Sequence, residues 1–251
     1  MVRAVLLDIE GTTTPISFVT EVLFPYVRRE VRDYLTKRWE EDEVQNDIEA
    51  LRQQSIADQQ DDSINVSLIA ENGSKEDIIE SVAKNVEEQM DLDRKITPLK
   101  QLQGHMWKFG YQSGELKGVV YDDVVEAFKK WNEKQIPIYI YSSGSIAAQK
   151  LLFGNSTHGD LLPFISGHFD TTSGLKVEST SYKRICGDIK LTPQEVLFVT
   201  DSLKELQAAT RENLQLRLSI RPGNAPVEDT SFESIRSFDE LFNNINYQGK
   251  Q

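Results

Sequence analysis

The sequence predicts an α/β protein with a Rossmann-like parallel sheet core and an inserted all-helical domain. Segments typical of strands and helices alternate from residue 119 onwards, which is the pattern of a parallel sheet covered on both faces. A single buried strand stands earlier, at residues 4–9, and only helical patterns lie between it and the alternating region. We therefore assign residues 1–16 and 117–251 to the core, and residues 17–116 to a helical cap inserted after the first strand.

The composition is that of a globular protein with an acidic surface. Apolar residues make up 39% of the 251 residues and charged residues 27%, which is typical of a packed fold. The net charge of −12 opposes binding to nucleic acid or to an anionic membrane. Because Lys and Arg form no dense cluster, a site for an anion needs its own lysine, arginine, helix N-terminus or metal ion.

The sequence also bears on location, assembly and the kind of metal site. No apolar run is long enough to span a bilayer, and the N-terminal segment is too short and too acidic for a secretory signal, so we expect a cytoplasmic protein. The acidic surface without a spare apolar stripe predicts a monomer. The only cysteine, Cys186, is interpreted as a packing residue, with a reactive thiol as the alternative. His105, His158 and His168 lie too far apart in sequence for a His-rich zinc site.

The cap segment contains four stretches whose apolar residues repeat at the period of an α-helix. Pro25 suits the start of the first helix, Ser74 and Asp77 are typical of an N-terminal cap, and Thr97-Pro98 opens the fourth. Within that fourth helix, His105 and Trp107 are candidates for substrate contact, with a hydrogen-bonded His and a packed Trp as the ordinary alternatives. The repeating positions are Val27, Val31, Tyr34 and Leu35; Val44, Ile48 and Leu51; Ile78, Ile79, Val82 and Val86; and Leu99, Leu102 and Met106.

The second half of the chain supplies the remaining strands and helices of the core. The predicted strands are residues 136–141, 195–200 and 214–220, and the predicted helices are residues 121–134, 145–153, 181–190 and 203–213. Ligands of an open parallel sheet bind beyond the carboxyl ends of its strands. The residues at those ends are therefore the candidates for the site.

Polar side chains follow three of the predicted strands. Asp8 and Glu10 come after the first, where an extended backbone would turn both carboxylates toward the same side. Ser142 and Ser143 follow the second, and Asp201 follows the third. Three carboxylates suit a hard divalent cation such as Mg²⁺, and serines in front of a helix offer donors to a phosphate.

Lys176 supplies the positive charge that such a site needs, because it lies in the chain between the serines and Asp201. Each feature alone has an ordinary explanation: a turn after the first strand, a flexible loop or helix cap at "SSGS", a surface lysine, or a helix cap at Asp201. The order acid, serine, lysine, acid at neighbouring strand ends is what favours a functional site.

This order resembles the four motifs of the haloacid dehalogenase superfamily of phosphohydrolases. "LLDIEGT", "YIYSSGS", Lys176 and "FVTDSLKE" are similar to the first, second, third and fourth motif. "DIEGTTTPI", "QGHMW", "GHFDT", "KVES" and "RPGNAP" extend the resemblance over nearly the full chain to the enolase-phosphatases of methionine salvage. Most members of the superfamily carry aspartate where this chain has Glu10.

The resemblance implies a role for each motif residue. Asp8 would be the nucleophile that forms an aspartyl-phosphate, and Glu10 the proton donor and acceptor. One Mg²⁺ per subunit would be held by Asp8, Glu10 and Asp201, with Glu10 using either its side chain or its backbone carbonyl. Glu205 would lie just outside these ligands.

The remaining implications concern the substrate. Ser142, Ser143 and Lys176 would bind the phosphoryl group of 2,3-diketo-5-methylthiopentyl-1-phosphate, which such enzymes enolise and then dephosphorylate. The resemblance also adds the nucleus to the cytoplasm as a location. Two alternatives are a general phosphatase of small phosphoesters on the same scaffold, and a binding protein with a vestigial site.

Overall fold

The computed structural model describes residues 1–61, 63–227, 231–243 and 245–249. The chain divides into two compact units, one formed by Met1–Val19 with Lys117–Gln251 and the other by Thr20–Leu116. The first unit is built from strands and helices, and the second is helical. No helix within the described residues is long and apolar enough to cross a membrane.

The larger unit is built on a parallel sheet, so the predicted α/β fold is confirmed. Over the described residues the sheet has six strands in the order β3-β2-β1-β4-β5-β6. Because β2 and β4 both pair with β1 in parallel, β1 lies inside the sheet and all four of its residues are buried. The strands are β1 Ala4–Leu7, β2 Ile138–Tyr141, β3 Ile165–Phe169, β4 Val196–Thr200, β5 Gln215–Ser219 and β6 Ser234–Ile235.

Two strands were not predicted, and the first strand is shorter than predicted. Strand β3 lies at the edge of the sheet, so its residues are only partly buried and show no apolar run. It also contains Gly167, where a Cβ atom would lie 3.0 Å from the Tyr139 ring. Strand β6 has only two residues. Strand β1 ends at Leu7 instead of Ile9, because a turn begins there.

The four helices predicted in the core are present, with ends that differ by a few residues. They flank the strands in the alternating order that the sequence predicts. Their bounds are α5 Asp122–Glu133, α6 Ile146–Gly154, α7 Ser179–Asp188 and α8 Leu203–Thr210, and short 3-10 turns lie at Leu162–Phe164, Thr171–Ser173, Pro193–Glu195 and Phe238–Phe242. Cys186 is buried in the core beside α8 residues, and burial raises the pKa of its thiol to about 11, as expected for a packing residue.

The helical unit contains the four predicted helices. They are α1 Phe24–Lys37, α2 Asp42–Asp58, α3 Lys75–Asp91 and α4 Thr97–Ser113, and a π-helical segment at Phe18–Leu23 precedes α1. Pro25 lies in the first turn of α1, and Ser74 with Asp77 forms a reciprocal cap at the start of α3. Both start signals are therefore confirmed.

The two cap residues of interest are engaged within the helical unit itself. His105 Nδ1 lies 2.6 Å from Oδ2 of Asp47, a fully buried carboxylate on α2. Trp107 donates its indole N–H to the Leu23 carbonyl at 3.1 Å and stacks on Phe24. These contacts are the ordinary alternatives that the sequence left open for both residues.

Candidate active site

The site lies where the chain order of the sheet reverses. From β1 the sheet extends through β2 to β3 on one side, and the chain then returns to place β4 on the other side of β1. Such a reversal opens a crevice at the carboxyl ends of the strands. Asp8 directly follows β1 and Asp201 directly follows β4, so both carboxylates come from this edge.

A tight turn follows Asp8 and explains why β1 stops. The Ile9 carbonyl accepts the backbone N–H groups of Thr12, Thr13 and Thr14 at 2.9 to 3.1 Å, and Gly11 has a φ of 65°. The segment that carries Asp8 and Glu10 is therefore a turn and not the extended stretch that the sequence predicts. Asp8 is buried, whereas Glu10 is exposed in the turn.

The Asp8 carboxylate is held by three donors. Lys176 Nζ lies 2.6 Å from Oδ1, and the backbone N–H of Ile9 donates to the same oxygen at 2.7 Å. The Thr200 hydroxyl lies 2.9 Å from Oδ2. These contacts leave the carboxylate with one orientation, which is what a nucleophile needs.

Lys176 joins Asp8 to a second carboxylate. Its ammonium nitrogen lies 2.8 Å from Glu205 Oε2, and the lysine side chain is only 8% exposed. Burial opposes the charged form of Lys176, but Asp8 and Glu205 outweigh it and raise the pKa of the lysine. Burial and the Asp8 charge raise the pKa of Glu205. The buried charges depend on one another, so removing one leaves another uncompensated.

Three consecutive carbonyls in the loop that carries Lys176 each accept a side-chain hydroxyl. The Tyr141 hydroxyl donates to the Gly174 carbonyl at 2.9 Å, and Ser181 donates to Leu175 at 2.8 Å. The buried Tyr182 hydroxyl donates to the carbonyl of Lys176 itself at 2.5 Å. The loop lies outside the strands and α-helices, so these side-chain hydrogen bonds help to hold the lysine in place.

Asp201 is not a helix cap, because Ser202 accepts the Glu205 N–H at the start of α8. Instead its carboxylate packs over Gly11, where a Cβ atom would collide with Oδ2. Burial, reinforced by the charge of Asp8, raises the pKa of Asp201 to about 6. No ion pair joins Asp201 to a basic side chain among the residues that the structure describes.

Comparison with known proteins gives the family. A model of haloacid dehalogenase-like hydrolases matches residues 2–211. The chain belongs to this family. Enolase-phosphatase E1 of Dictyostelium discoideum is 48% identical and covers 98% of both chains, and that of Xenopus tropicalis is 50% identical over 91% of this chain and 88% of the relative.

This haloacid dehalogenase-like hydrolase is also similar in fold to a protein of known structure. The UTR4 protein of Saccharomyces cerevisiae superposes with a TM-score of 0.77 at 35% identity. The superposition covers 95% of this chain and 99% of the yeast chain. Both the sheet and the helical segment are therefore shared with a known structure.

The oxygen atoms at this edge of the sheet decide whether a divalent cation fits the hydrolase. Within residues 1–61, 63–227, 231–243 and 245–249, no three carboxylate, imidazole or thiol side chains stand close enough to hold a metal by themselves. Asp8 and Asp201 nevertheless offer hard oxygen atoms, and a single lysine, Lys176, compensates three carboxylates, those of the buried Asp8 and of the partly buried Asp201 and Glu205. A divalent cation would balance this excess of negative charge, and carboxylate oxygens are the ligands that it prefers. The residues present therefore fit a divalent cation.

The serines of the second motif differ from each other in exposure. Ser142 is buried, and its Oγ accepts the Gly144 N–H at 3.2 Å. Ser143 is exposed at the start of the loop, and Ser145 caps α6 by accepting the Ala148 N–H. The structure thus brings Asp8, Lys176 and Asp201 to one edge of the sheet, with both serines after the neighbouring strand β2.

Sequence reasoning overlooked Thr200, Tyr182 and Asn224. Thr200 is the last residue of β4, so its place at a strand end was the available signal. Asn224 lies in the "RPGNAP" loop after β5 and donates its amide to the Gly11 carbonyl at 2.9 Å. Tyr182 gave no signal, because an aromatic residue in an amphipathic helix is usually a core residue.

Proposed function

We propose that this protein is a magnesium-dependent enolase-phosphatase of L-methionine salvage. It converts 2,3-diketo-5-methylthiopentyl-1-phosphate and water into the acireductone 1,2-dihydroxy-3-keto-5-methylthiopentene and inorganic phosphate. The observation that carries the proposal is the buried Asp8 carboxylate, held by Lys176 and Thr200 at the end of β1. The near-complete match to relatives named enolase-phosphatase E1 supports the choice of substrate.

Asp8 is the proposed nucleophile of the phosphatase step. One carboxylate oxygen forms a bond to phosphorus while the bond from phosphorus to the enol oxygen breaks, which gives an aspartyl-phosphate and a free enol. Water then attacks phosphorus, releases phosphate and restores Asp8. The Lys176 ammonium and the Ile9 N–H hold the carboxylate in place through both steps.

Glu10 is the proposed carrier of the proton. It protonates the departing enol oxygen in the first step and takes a proton from the attacking water in the second. Its position two residues after Asp8, exposed in the turn, allows contact with solvent and with the leaving group. Its extra methylene relative to aspartate gives it longer reach.

Ser142, Ser143 and Lys176 are the proposed ligands of the phosphoryl oxygens. Asp8, Glu10 and Asp201 would hold one Mg²⁺ per subunit, with the backbone carbonyl of Glu10 as the alternative to its exposed carboxylate. When bound, such an ion would supply positive charge for the anionic carboxylates and phosphate and would polarise the substrate carbonyl for enolisation.

The helical insertion, residues 17–116, is the proposed cap that excludes water and binds the methylthio end of the substrate. Its place in the chain directly after the strand that carries Asp8 supports this role. The proposal includes a monomer located in the cytoplasm and the nucleus.

A substrate panel tests the proposal. Phosphate release from the diketone phosphate is compared with release from simple phosphoesters of similar size, with Mg²⁺ and with a chelator. The rise in absorbance of the enol phosphate, which forms before the phosphate leaves, reports the enolisation separately. We expect a strong preference for the diketone phosphate and loss of both signals with chelator. Equal rates on all phosphoesters would favour the general phosphatase, and no hydrolysis of any would favour a vestigial site.

A further inference from the structure

Asn224 is fixed in orientation by two carbonyl groups of the core. Its side-chain N–H₂ donates to the Gly11 carbonyl at 2.9 Å and to the Ser219 carbonyl at 3.2 Å. A carboxamide that uses its nitrogen in this way must turn its oxygen to the other side. The two bonds therefore determine where Asn224 Oδ1 lies.

The oxygen of Asn224 is buried without a partner. Among the residues that the structure describes, Oδ1 accepts no hydrogen bond and is shielded from solvent. A buried acceptor left without a donor destabilises the folded protein. A group of this kind is expected to have a ligand.

The oxygen converges with the Asp201 carboxylate. A Cβ atom built on Gly11 would lie within 2.6 Å of both Asn224 Oδ1 and Asp201 Oδ2, so the two oxygens are no more than twice that distance apart. Both are acceptors, and Asp201 forms no ion pair among the described side chains. Two acceptor oxygens this close together are stabilised by a donor or a cation between or beside them.

We propose that Asn224 is a further residue of the divalent cation site, where Oδ1 supplies a neutral oxygen beside Asp201, directly or through a water molecule of the cation. The proposal rests on the cation of the proposed function. Carboxamide oxygens are ordinary ligands of hard cations. A neutral oxygen completes the set without adding a fourth negative charge to those of Asp8, Asp201 and Glu205.

The same residue would couple the cation to the nucleophile. Asn224 holds the Gly11 carbonyl in the turn that begins directly after Asp8. Cation binding and the position of this turn would then depend on one side chain. This second role requires the nitrogen of Asn224, whereas the first requires its oxygen.

Two variants separate these roles. Asn224→Asp keeps an oxygen and loses the donor, while Asn224→Ala loses both. Asn155→Ala is the matched control, because Asn155 also donates its amide to a backbone carbonyl, that of Leu151, at 2.9 Å. Binding of Mn²⁺, which takes oxygen ligands in the same geometry as Mg²⁺, is measured on the full chain by the EPR signal of the free ion.

We expect Asn224→Ala to weaken Mn²⁺ binding by about tenfold or more, and Asn224→Asp to bind as tightly as the wild type or more tightly. Equal weakening in both variants would overturn the proposal, because only the lost donor would then matter. Affinity of Asn224→Ala within twofold of the wild type would also overturn it. If the alanine variant is unfolded by circular dichroism, Asn224→Ser replaces it. A wild-type protein that binds no Mn²⁺ would instead contradict the cation of the proposed function.

Discussion

The Lys176 ammonium nitrogen lies 2.6 Å from Oδ1 of Asp8, and both side chains are almost completely buried. The same nitrogen contacts Glu205, so one lysine compensates two carboxylates inside the protein. The ion pair orients the proposed nucleophile for the reaction and also stabilises the folded protein. Changes at this position are therefore expected to affect activity and stability together, and a second substitution can separate them.

Lys176→Met should abolish phosphate release and lower the free energy of unfolding by about 3–5 kcal/mol, because two buried carboxylates lose their partner. Adding Glu205→Gln removes one of those charges. The double variant should regain part of the stability, measured by urea unfolding, and none of the activity. If the double variant is no more stable than Lys176→Met, the buried charges are not coupled as the geometry indicates.

Gly11→Ala should eliminate Mn²⁺ binding and activity. The new methyl group would collide with the oxygens of Asp201 and Asn224, and Gly11 has a positive φ. Gly159→Ala is the matched control, because Gly159 also has a positive φ but open space around its Cβ position. The control should lose about 1–2 kcal/mol of stability from strain alone and keep its activity. Equal behaviour of the two variants would contradict the crowding over Gly11.

Thr200→Val should lower activity at least tenfold and stability by about 1–3 kcal/mol. The Thr200 hydroxyl lies 2.9 Å from Asp8 Oδ2 and 2.8 Å from Glu205 Oε2, so its loss removes the donor at Asp8 Oδ2, whereas Glu205 Oε2 keeps its contact with Lys176. Thr210→Val, which removes only a bond to a helix carbonyl, should leave the rate unchanged. A Thr200→Val enzyme with wild-type rate and stability would show that this hydroxyl is dispensable.

His168 should make the stability of the protein fall between pH 7 and pH 5. Burial, with a smaller effect of Lys150, lowers the pKa of His168 to about 4 from 6.5. Below pH 6.5 the unfolded chain therefore takes up a proton that the folded chain does not, so acid favours unfolding. The expected contribution at pH 5 is at most about 2 kcal/mol.

His168→Asn tests this contribution, because it retains a donor toward Gln149, the partner of His168, and does not titrate. Urea unfolding of both proteins at pH 7 and pH 5 should show the smaller loss in the variant. An identical loss in both would assign the acid sensitivity to other groups.

The fold was predictable from the sequence because its signals are local. Buried runs such as residues 196–200 and the caps at Ser74 and Pro25 predict elements without knowledge of the rest of the chain. Strand β3 was not predictable in the same way. As an edge strand it lacks an apolar run, and it forms because β2 offers a free neighbouring edge.

Only the site residues that lie at strand ends or in the order of the motifs could be predicted from the sequence. Strand ends and motif order indicate Asp8, Lys176 and Asp201, which the structure brings to one edge of the sheet. The exposed position of Glu10 was not predictable from alternation, because the turn at Ile9 interrupts the extended backbone. The contacts of Tyr182 and Asn224 join residues far apart in sequence, and no local pattern reports them.

The central claim is that Asp8 attacks phosphorus. Phosphate release from 2,3-diketo-5-methylthiopentyl-1-phosphate with Mg²⁺, measured for the wild type and for Asp8→Asn, tests it most directly. Asparagine keeps the shape of the side chain and removes the nucleophilic oxygen. We predict rapid release by the wild type and a loss of at least about a thousandfold in the variant, with both folded by circular dichroism. Release by Asp8→Asn at the wild-type rate would contradict the account.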